Sequence, residues 1–271
     1  MWTPVQLAAA NDEGFQNAFF AFDNGVGRGK RTPREQAKTL KELGYAGIGY
    51  TGIENLTERL KAFKSQDLKV FSLYVPCYPD RKDPFSPQLK EAMKQLEGTN
   101  TMLWLTVQGE SNDGEAATVV AEIADAADKH GVKVALYPHY GFYIATARHA
   151  VRLVKKVDRN NVGVTINLCH ELRAGNEAEL DDIIKEAAPY LYLVSINGAD
   201  RRGGWDKLIK TLDEGEFDVL PFLKNLEAAG YTGPIGLQCY NVKGDQRENL
   251  RISMRAWRKL CSHAGSEKER Q

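Results

Sequence analysis

The stretch "VGVTINLCHEL", residues 162–172, decides how the chain is read. Its first half is apolar and β-branched at successive positions, the pattern of a parallel strand buried on both faces. It then runs into Asn167 and His170, so a buried strand delivers polar side chains to its own end. Seven more runs share this character: "NAFFAFDNG" (17–25), "YAGIGYTG" (45–52), "KVFSLYVPC" (69–77), "TMLWLTVQGE" (101–110), "VKVALYPHYG" (132–141), "LYLVSINGAD" (191–200) and "PIGLQCYN" (234–241). Helix-like segments alternate with them, such as "TPREQAKTLKELG" (32–44), "EAATVVAEIADAADKHG" (115–131) and "VLPFLKNLEAAG" (219–230). Gly44, Gly131 and Gly230 stand at expected helix stops, and Pro33 in a first turn. Eight strands alternating with helices over this length predict a single-domain (β/α)8 TIM barrel at residues 17–262, with a doubly wound open sheet as the competing arrangement. Residues 1–16 read as an N-terminal extension and 263–271 as a charged tail that frays.

Composition narrows the partners. Lys+Arg and Asp+Glu balance at 36 each in 271 residues, which gives no broad field for nucleic acid. No apolar run approaches the roughly 20 residues of a membrane span. A small, neutral or weakly charged ligand fits better. Cys77, Cys169, Cys239 and Cys261 are widely spaced with no C-x-x-C pair, so they read as small buried side chains. The segment "PVQLAAANDEG" (4–14) has the small residues of a signal cleavage region without a basic start or long apolar stretch. It reads as the frayed terminus of a cytoplasmic protein or, alternatively, as the trimmed end of an export signal.

Function in such barrels collects where strands end. Those ends supply Asp23, Asn24, Thr51, Tyr74, Cys77, Gln108, Glu110, Tyr137, His139, Asn167, His170, Ser195, Asn197, Asp200, Gln238 and Tyr240. A mouth so rich in amides, hydroxyls and aromatic rings suits a polyhydroxylated ligand. The cluster "YPHYGFY" (137–143) reads equally as packing over the rim and as a platform for sugar rings. "NGVGRGKRT" (24–32) departs from a phosphate-binding loop, with Asn24 in place of the first Gly and Arg31 in place of Ser/Thr. It reads as a flexible loop, the lesser alternative being that its amides and Arg28 or Lys30 meet an anionic group. Cys169 beside His170 is set aside as a nucleophile pair, because strand neighbours point to opposite sides. His130, His149 and His263 read as exposed helix positions.

The chain resembles the xylose isomerase-like barrels, a family of sugar and sugar-phosphate isomerases and epimerases. The resemblance spans nearly the whole chain and is strongest in "VALYPHYGFY", "NVGVTINLCHELRAG", "YLVSINGADRR" and "GYTGPIGLQCY". It implies a divalent metal held by Glu, Asp, His and Glu at the ends of strands five to eight. Tyr137, Asn167, Ser195 and Gln238 stand at those four places, so every expected ligand is replaced. None brings a formal charge at neutral pH, and a hard cation needs anionic oxygen or imidazole to offset its dehydration. His170 matches the accessory histidine of the strand-six motif, and Arg201 an arginine that often follows the strand-seven ligand.

These residues give three expectations. The preferred one is a sugar isomerase, epimerase or lyase that moves a proton next to a carbonyl with no metal or other cofactor. His170 is its base, with Glu110 or Asp200 behind it, and His139, Arg201 and Gln238 stabilise the enediolate. Tyr137, Asn167, Ser195, Asn197, Asp200, Gln238 and Tyr240 bind the carbohydrate or keto-sugar. The second is a carbohydrate-binding barrel without catalysis. The third is an isomerase whose metal (Mn, Mg or Zn) has moved to His139 and His170 with Glu110 or Asp200. A homodimer is compatible with all three.

Overall fold

The computed structural model describes residues 14–268, with side chains through residue 262. Eight parallel strands run β1 (Phe19–Phe22), β2 (Gly47–Thr51), β3 (Lys69–Cys77), β4 (Met102–Val107), β5 (Val134–Leu136), β6 (Val162–Asn167), β7 (Leu191–Ile196) and β8 (Ile235–Leu237). Each pairs with the next, and β8 returns to β1 with Phe19 opposite Ile235 and Ala21 opposite Leu237. That last pairing closes the sheet and settles the barrel against the open alternative. The helices α1 (Pro33–Leu43), α2 (Leu56–Lys64), α3 (Gln88–Leu96), α4 (Asp113–Asp128), α5 (Ala147–Val157), α6 (Leu168–Ala174), α7 (Leu180–Ala187), α8 (Trp205–Leu208), α9 (Val219–Ala228) and α10 (Gln246–Lys268) lie between and after the strands. None of the described helices is long and apolar enough to cross a membrane.

Two cores hold this arrangement. The larger lies between strands and helices and carries the aliphatic residues of both, such as Leu40, Leu103, Ile123 and Leu153. Inside the barrel is a smaller cluster with Phe20, Phe22, Phe71, Trp104 and Tyr137. Large rings fit there because glycines face them: a Cβ on Gly49 or Gly236 would come within 2.7 Å of the Phe22 ring. Phe22 stacks on Trp104 at 4.4 Å, and Trp104 meets the Tyr137 ring edge-on at 4.0 Å. The Trp104 indole donates to Thr165 Oγ1 at 2.7 Å, which satisfies its polar edge.

Local signals act as their chemistry requires. Thr32 and Glu35 form a reciprocal cap on α1, Pro33 opens that helix, and Gly44 closes it in the left-handed region at φ 87°. The quoted stretch 162–172 differs from its reading as one strand: β6 ends at Asn167 and α6 begins at Leu168, so Cys169 and His170 sit on a helix. α10 continues to Lys268, beyond the boundary expected at 263, and Phe15 of the expected extension stacks on Trp257. The readings of residues 1–13 and of the His263 side chain lie outside the described residues.

The loop from β5 to α5 carries the residues of the mouth and is tied to α4 by one carboxylate. Asp113 accepts from Tyr143 Oη (2.6 Å), Arg152 Nε (2.7 Å) and His149 Nε2 (3.3 Å). His149 is therefore a half-buried tie and not the exposed residue expected. His130 is half-buried as well, bonded to Glu97. The Arg152 bond, with those of Tyr143 and His149, holds the Asp113 carboxyl below its ordinary value of 3.8. A carboxyl lowered in the folded state adds stability above its unfolded pKa and loses it as pH falls through the folded one. Asp113→Asn is expected to cost about 1–2 kcal/mol near neutral pH, allowing for partial exposure. Urea unfolding should show the gap between wild type and variant at its full size above pH 3.8 and closing below it. A gap independent of pH would contradict the tie.

Candidate active site

At the carboxyl ends of the strands lies a cavity of about 270 Å³. It is a little below the roughly 300–1,000 Å³ usual for ligand pockets, hence sized for one small molecule. Rings of Phe22, Tyr74 and Trp104 form its lower wall; Tyr50, Trp205 and Ile209 close its sides. The aromatic wall is fixed from behind, with Tyr50 Oη donating to Gln36 Oε1 at 2.7 Å.

The polar centre is built on Tyr137, at the end of β5, and His170, in the first turn of α6. Tyr140 N–H donates to His170 Nδ1 at 3.2 Å, so that nitrogen carries no proton. The neutral ring then holds its proton on Nε2 and donates it to Tyr137 Oη at 3.0 Å. Gln238 lines the same cavity as Tyr137. Its Oε1 accepts from Asn24 Nδ2 (3.0 Å), Cys239 N (3.0 Å) and Tyr240 N (3.1 Å), which fixes the side chain. Tyr137 oxygen thus accepts the His170 N–H, and its own proton finds no protein acceptor among the described residues. Burial pushes this phenol well above its ordinary value of 10.0. Burial, with His139 beside it, holds His170 well below 6.5. His170 is a buried donor and not the free base expected from sequence.

His139 is the second histidine of the cavity. Its Nδ1 lies 2.9 Å from the Tyr140 carbonyl, which can only accept, so Nδ1 carries the proton and Nε2 offers a lone pair. Nε2 has no protein partner among the described residues. The ring stacks on Phe142 at 3.9 Å and lies 4.2 Å from the His170 ring. Burial lowers its pKa from 6.5, partly opposed by the Tyr140 carbonyl. The "YPHYGFY" cluster therefore divides: Phe142 supports His139, Tyr143 anchors the loop, and Tyr140 stands 42% exposed at the rim.

The four places of the family's metal ligands are filled by internal bonds. Asn167 Nδ2 donates to the Pro138 carbonyl at 2.8 Å, while its Oδ1 accepts from Ser195 Oγ at 2.8 Å. Both residues are fully buried beneath the cavity wall. With Gln238 and Tyr137 engaged as above, no anionic oxygen faces the place where a cation would sit, and His139 Nε2 is the one imidazole lone pair left free among the described lining residues. These residues do not fit a divalent metal. Asn167 and Ser195 accordingly build the wall and leave ligand contact to Gln238, Tyr137 and the half-exposed Tyr240.

Other expectations are corrected by position. Arg201 pairs with Glu177 in a separate surface depression and lies off the cavity. Glu110 is exposed on its loop. Asp200 is held by Lys210 Nζ at 2.6 Å. Asn197 is buried, with Nδ2 donating to Gly198 and Leu208 carbonyls. Neither Glu110 nor Asp200 joins His139 and His170, and among the described residues no group of three potential ligands from His, Cys, Asp and Glu comes together. The Cys77, Cys169 and Cys239 thiols are pushed up to about 12 by burial, which leaves them unreactive. Sequence reasoning passed over Phe22, Tyr50, Trp104 and Trp205 as cavity residues. The strand period could have found the two inward-facing rings of β1 and β4; Trp205, in a short helix after two glycines, carried no such signal.

Known proteins share this barrel. A family model of the xylose isomerase-like TIM barrel matches residues 85–260. An uncharacterized protein of Methanocaldococcus jannaschii is 26% identical over 182 residues, 66% of this chain, and the match spans 61% of that relative's length. The 3-keto-D-glucoside 4-epimerase of E. coli superposes with a TM-score of 0.73 at 16% identity, over 91% of this chain and 100% of its own. The IOLI protein, whose structure holds a zinc atom, superposes with a TM-score of 0.76 at 16% identity, over 91% and 99% of the two chains. Identities this low speak for the fold alone. The chain belongs to the xylose isomerase-like TIM barrel family.

Proposed function

We propose that this barrel is a sugar isomerase or epimerase that moves a proton next to the carbonyl of a sugar or keto-sugar without a divalent metal. One observation carries the reading: the Tyr137 hydroxyl, its oxygen accepting the His170 N–H, has a proton to give into the same cavity where His139 Nε2 has a lone pair. In the forward step Nε2 takes the proton from the carbon beside the carbonyl. The C–H electron pair becomes the new C=C bond and the carbonyl π pair moves onto the oxygen, which Tyr137 Oη–H stabilises as it becomes an enolate. The new imidazolium is steadied by the Tyr140 carbonyl on Nδ1. Return of that proton from Nε2 to the neighbouring carbon of an enediol gives an isomer; return to the same carbon gives an epimer once the intermediate has turned its other face to Nε2. Asn24 Oδ1, buried and without a protein partner, is placed to accept from a substrate hydroxyl.

The test is exchange of the carbon-bound proton for deuterium, followed by NMR over a panel of keto-sugars in heavy water. Wild type is expected to exchange at least one of them, and His139→Ala to lose exchange. Tyr137→Phe is expected to slow it by roughly 100-fold or more, the usual effect of losing one oxyanion donor. Because burial holds His139 below 6.5, the base is free through neutral pH. The rate should be level above pH 6.5 and fall only as the medium becomes more acid. Stabilisation by a sugar with no exchange at any pH would instead mark a binding protein.

A further inference from the structure

The cavity holds a second polar feature, opposite the reacting centre and not used by the chemistry above. Among its described lining residues Arg28 is the one ionised side chain, since both histidines are held neutral and no carboxylate reaches the surface. It comes from the β1–α1 loop, and β1 stands across the eight-strand barrel from β5, which carries Tyr137 and His139.

Arg28 is fixed in place and only partly engaged. Its Nη1 donates to Thr51 Oγ1 at 2.8 Å. Thr51 in turn donates Oγ1–H and N–H to the two oxygens of buried Asp23 at 2.9 and 3.0 Å. Asp23 therefore sits behind Thr51 with both oxygens filled, 3.8 Å from the guanidinium. Arg59 lies over the Tyr50 ring at 4.3 Å and donates to the Gly52 carbonyl at 3.1 Å, adding a second cation to this edge. Glu58 acts on the Tyr50 hydroxyl together with Asp23 and offsets Arg59, so the charge that lines the cavity is that of Arg28. The Nε and Nη2 of Arg28 have no protein partner among the described residues, and a guanidinium fork with two free donors matches a carboxylate or a phosphate. Asn24, with its unpartnered Oδ1, lines the same side of the cavity.

We propose that the substrate is an anionic sugar, whose carboxylate or phosphate is bound by the free edge of Arg28 while its carbonyl lies against Tyr137. This rests on the proton-transfer reading for the position of the carbonyl. A cavity of about 270 Å³ holds one molecule of monosaccharide size that spans both features.

Three matched ketohexoses separate the cases: D-fructose, D-fructuronate and D-fructose 6-phosphate, titrated calorimetrically at low salt against wild type, Arg28→Gln and Arg28→Lys. One of the two anions is expected to bind at least about tenfold more tightly than D-fructose to wild type, and the anion that does so identifies the group. That preference should vanish in Arg28→Gln and be partly kept in Arg28→Lys. Equal binding of all three, binding of none, or an anion preference that survives in Arg28→Gln overturns the proposal. Because binding is read without turnover, deuterium exchange with no anion preference would remove this inference alone. Anion preference without exchange would remove the proton-transfer reading instead.

Discussion

The hydrogen bond from His170 Nε2–H to Tyr137 Oη is the interaction on which the site depends. It joins the end of β5 to the first turn of α6, and its direction is set by the Tyr140 N–H that occupies Nδ1. One backbone amide thereby fixes a tautomer, and the tautomer fixes a phenol as donor toward the cavity. Both groups are nearly inaccessible, and in such surroundings an unmatched polar atom costs more than a satisfied one contributes. The network is thus held in one arrangement, with its remaining proton as the free valence.

The same economy of charge runs through the cavity. Where the family resemblance implies two carboxylates and a histidine around a cation, Asn167, Ser195 and Gln238 exchange hydrogen bonds with the protein itself. Burial keeps Tyr137, His139 and His170 neutral for the same reason: a charge there lacks a compensating partner. A neutral base and a neutral donor are thereby set side by side. The positive charge of Arg28 lies at the opposite edge, near solvent, where desolvation is smaller.

Much of the fold was legible because parallel strands buried on both faces write themselves as apolar runs, as in "TMLWLTVQGE" and "VGVTIN". Closure was not legible, since strand number is shared with open sheets and only the pairing of β8 with β1 decides it. The strand-to-helix change at Asn167 was hidden because a short apolar run serves either geometry. In the site, residues at strand ends were easy to name but hard to aim. Tyr137 and Gln238 face the cavity, whereas Asn167, Ser195 and Asn197 turn into the wall. Arg201, Glu110 and Asp200 were read by their place after a strand, yet loop direction is set by contacts distant in sequence, such as Lys210 on Asp200 and Glu177 on Arg201. Arg28 was legible only as a basic residue in a glycine-rich loop, because its position depends on Thr51 of the neighbouring strand.

The proposed exclusion of a cation rests on the hydrogen bonds that Tyr137, His170, Gln238, Asn167 and Ser195 make within the protein. It is tested most directly by elemental mass spectrometry of the folded protein, purified without a metal column and then dialysed against manganese, magnesium and zinc in turn. The account predicts far less than one ion per chain under every condition, with no change on Tyr137→Phe. Near-stoichiometric metal that is lost on His139→Ala would contradict it.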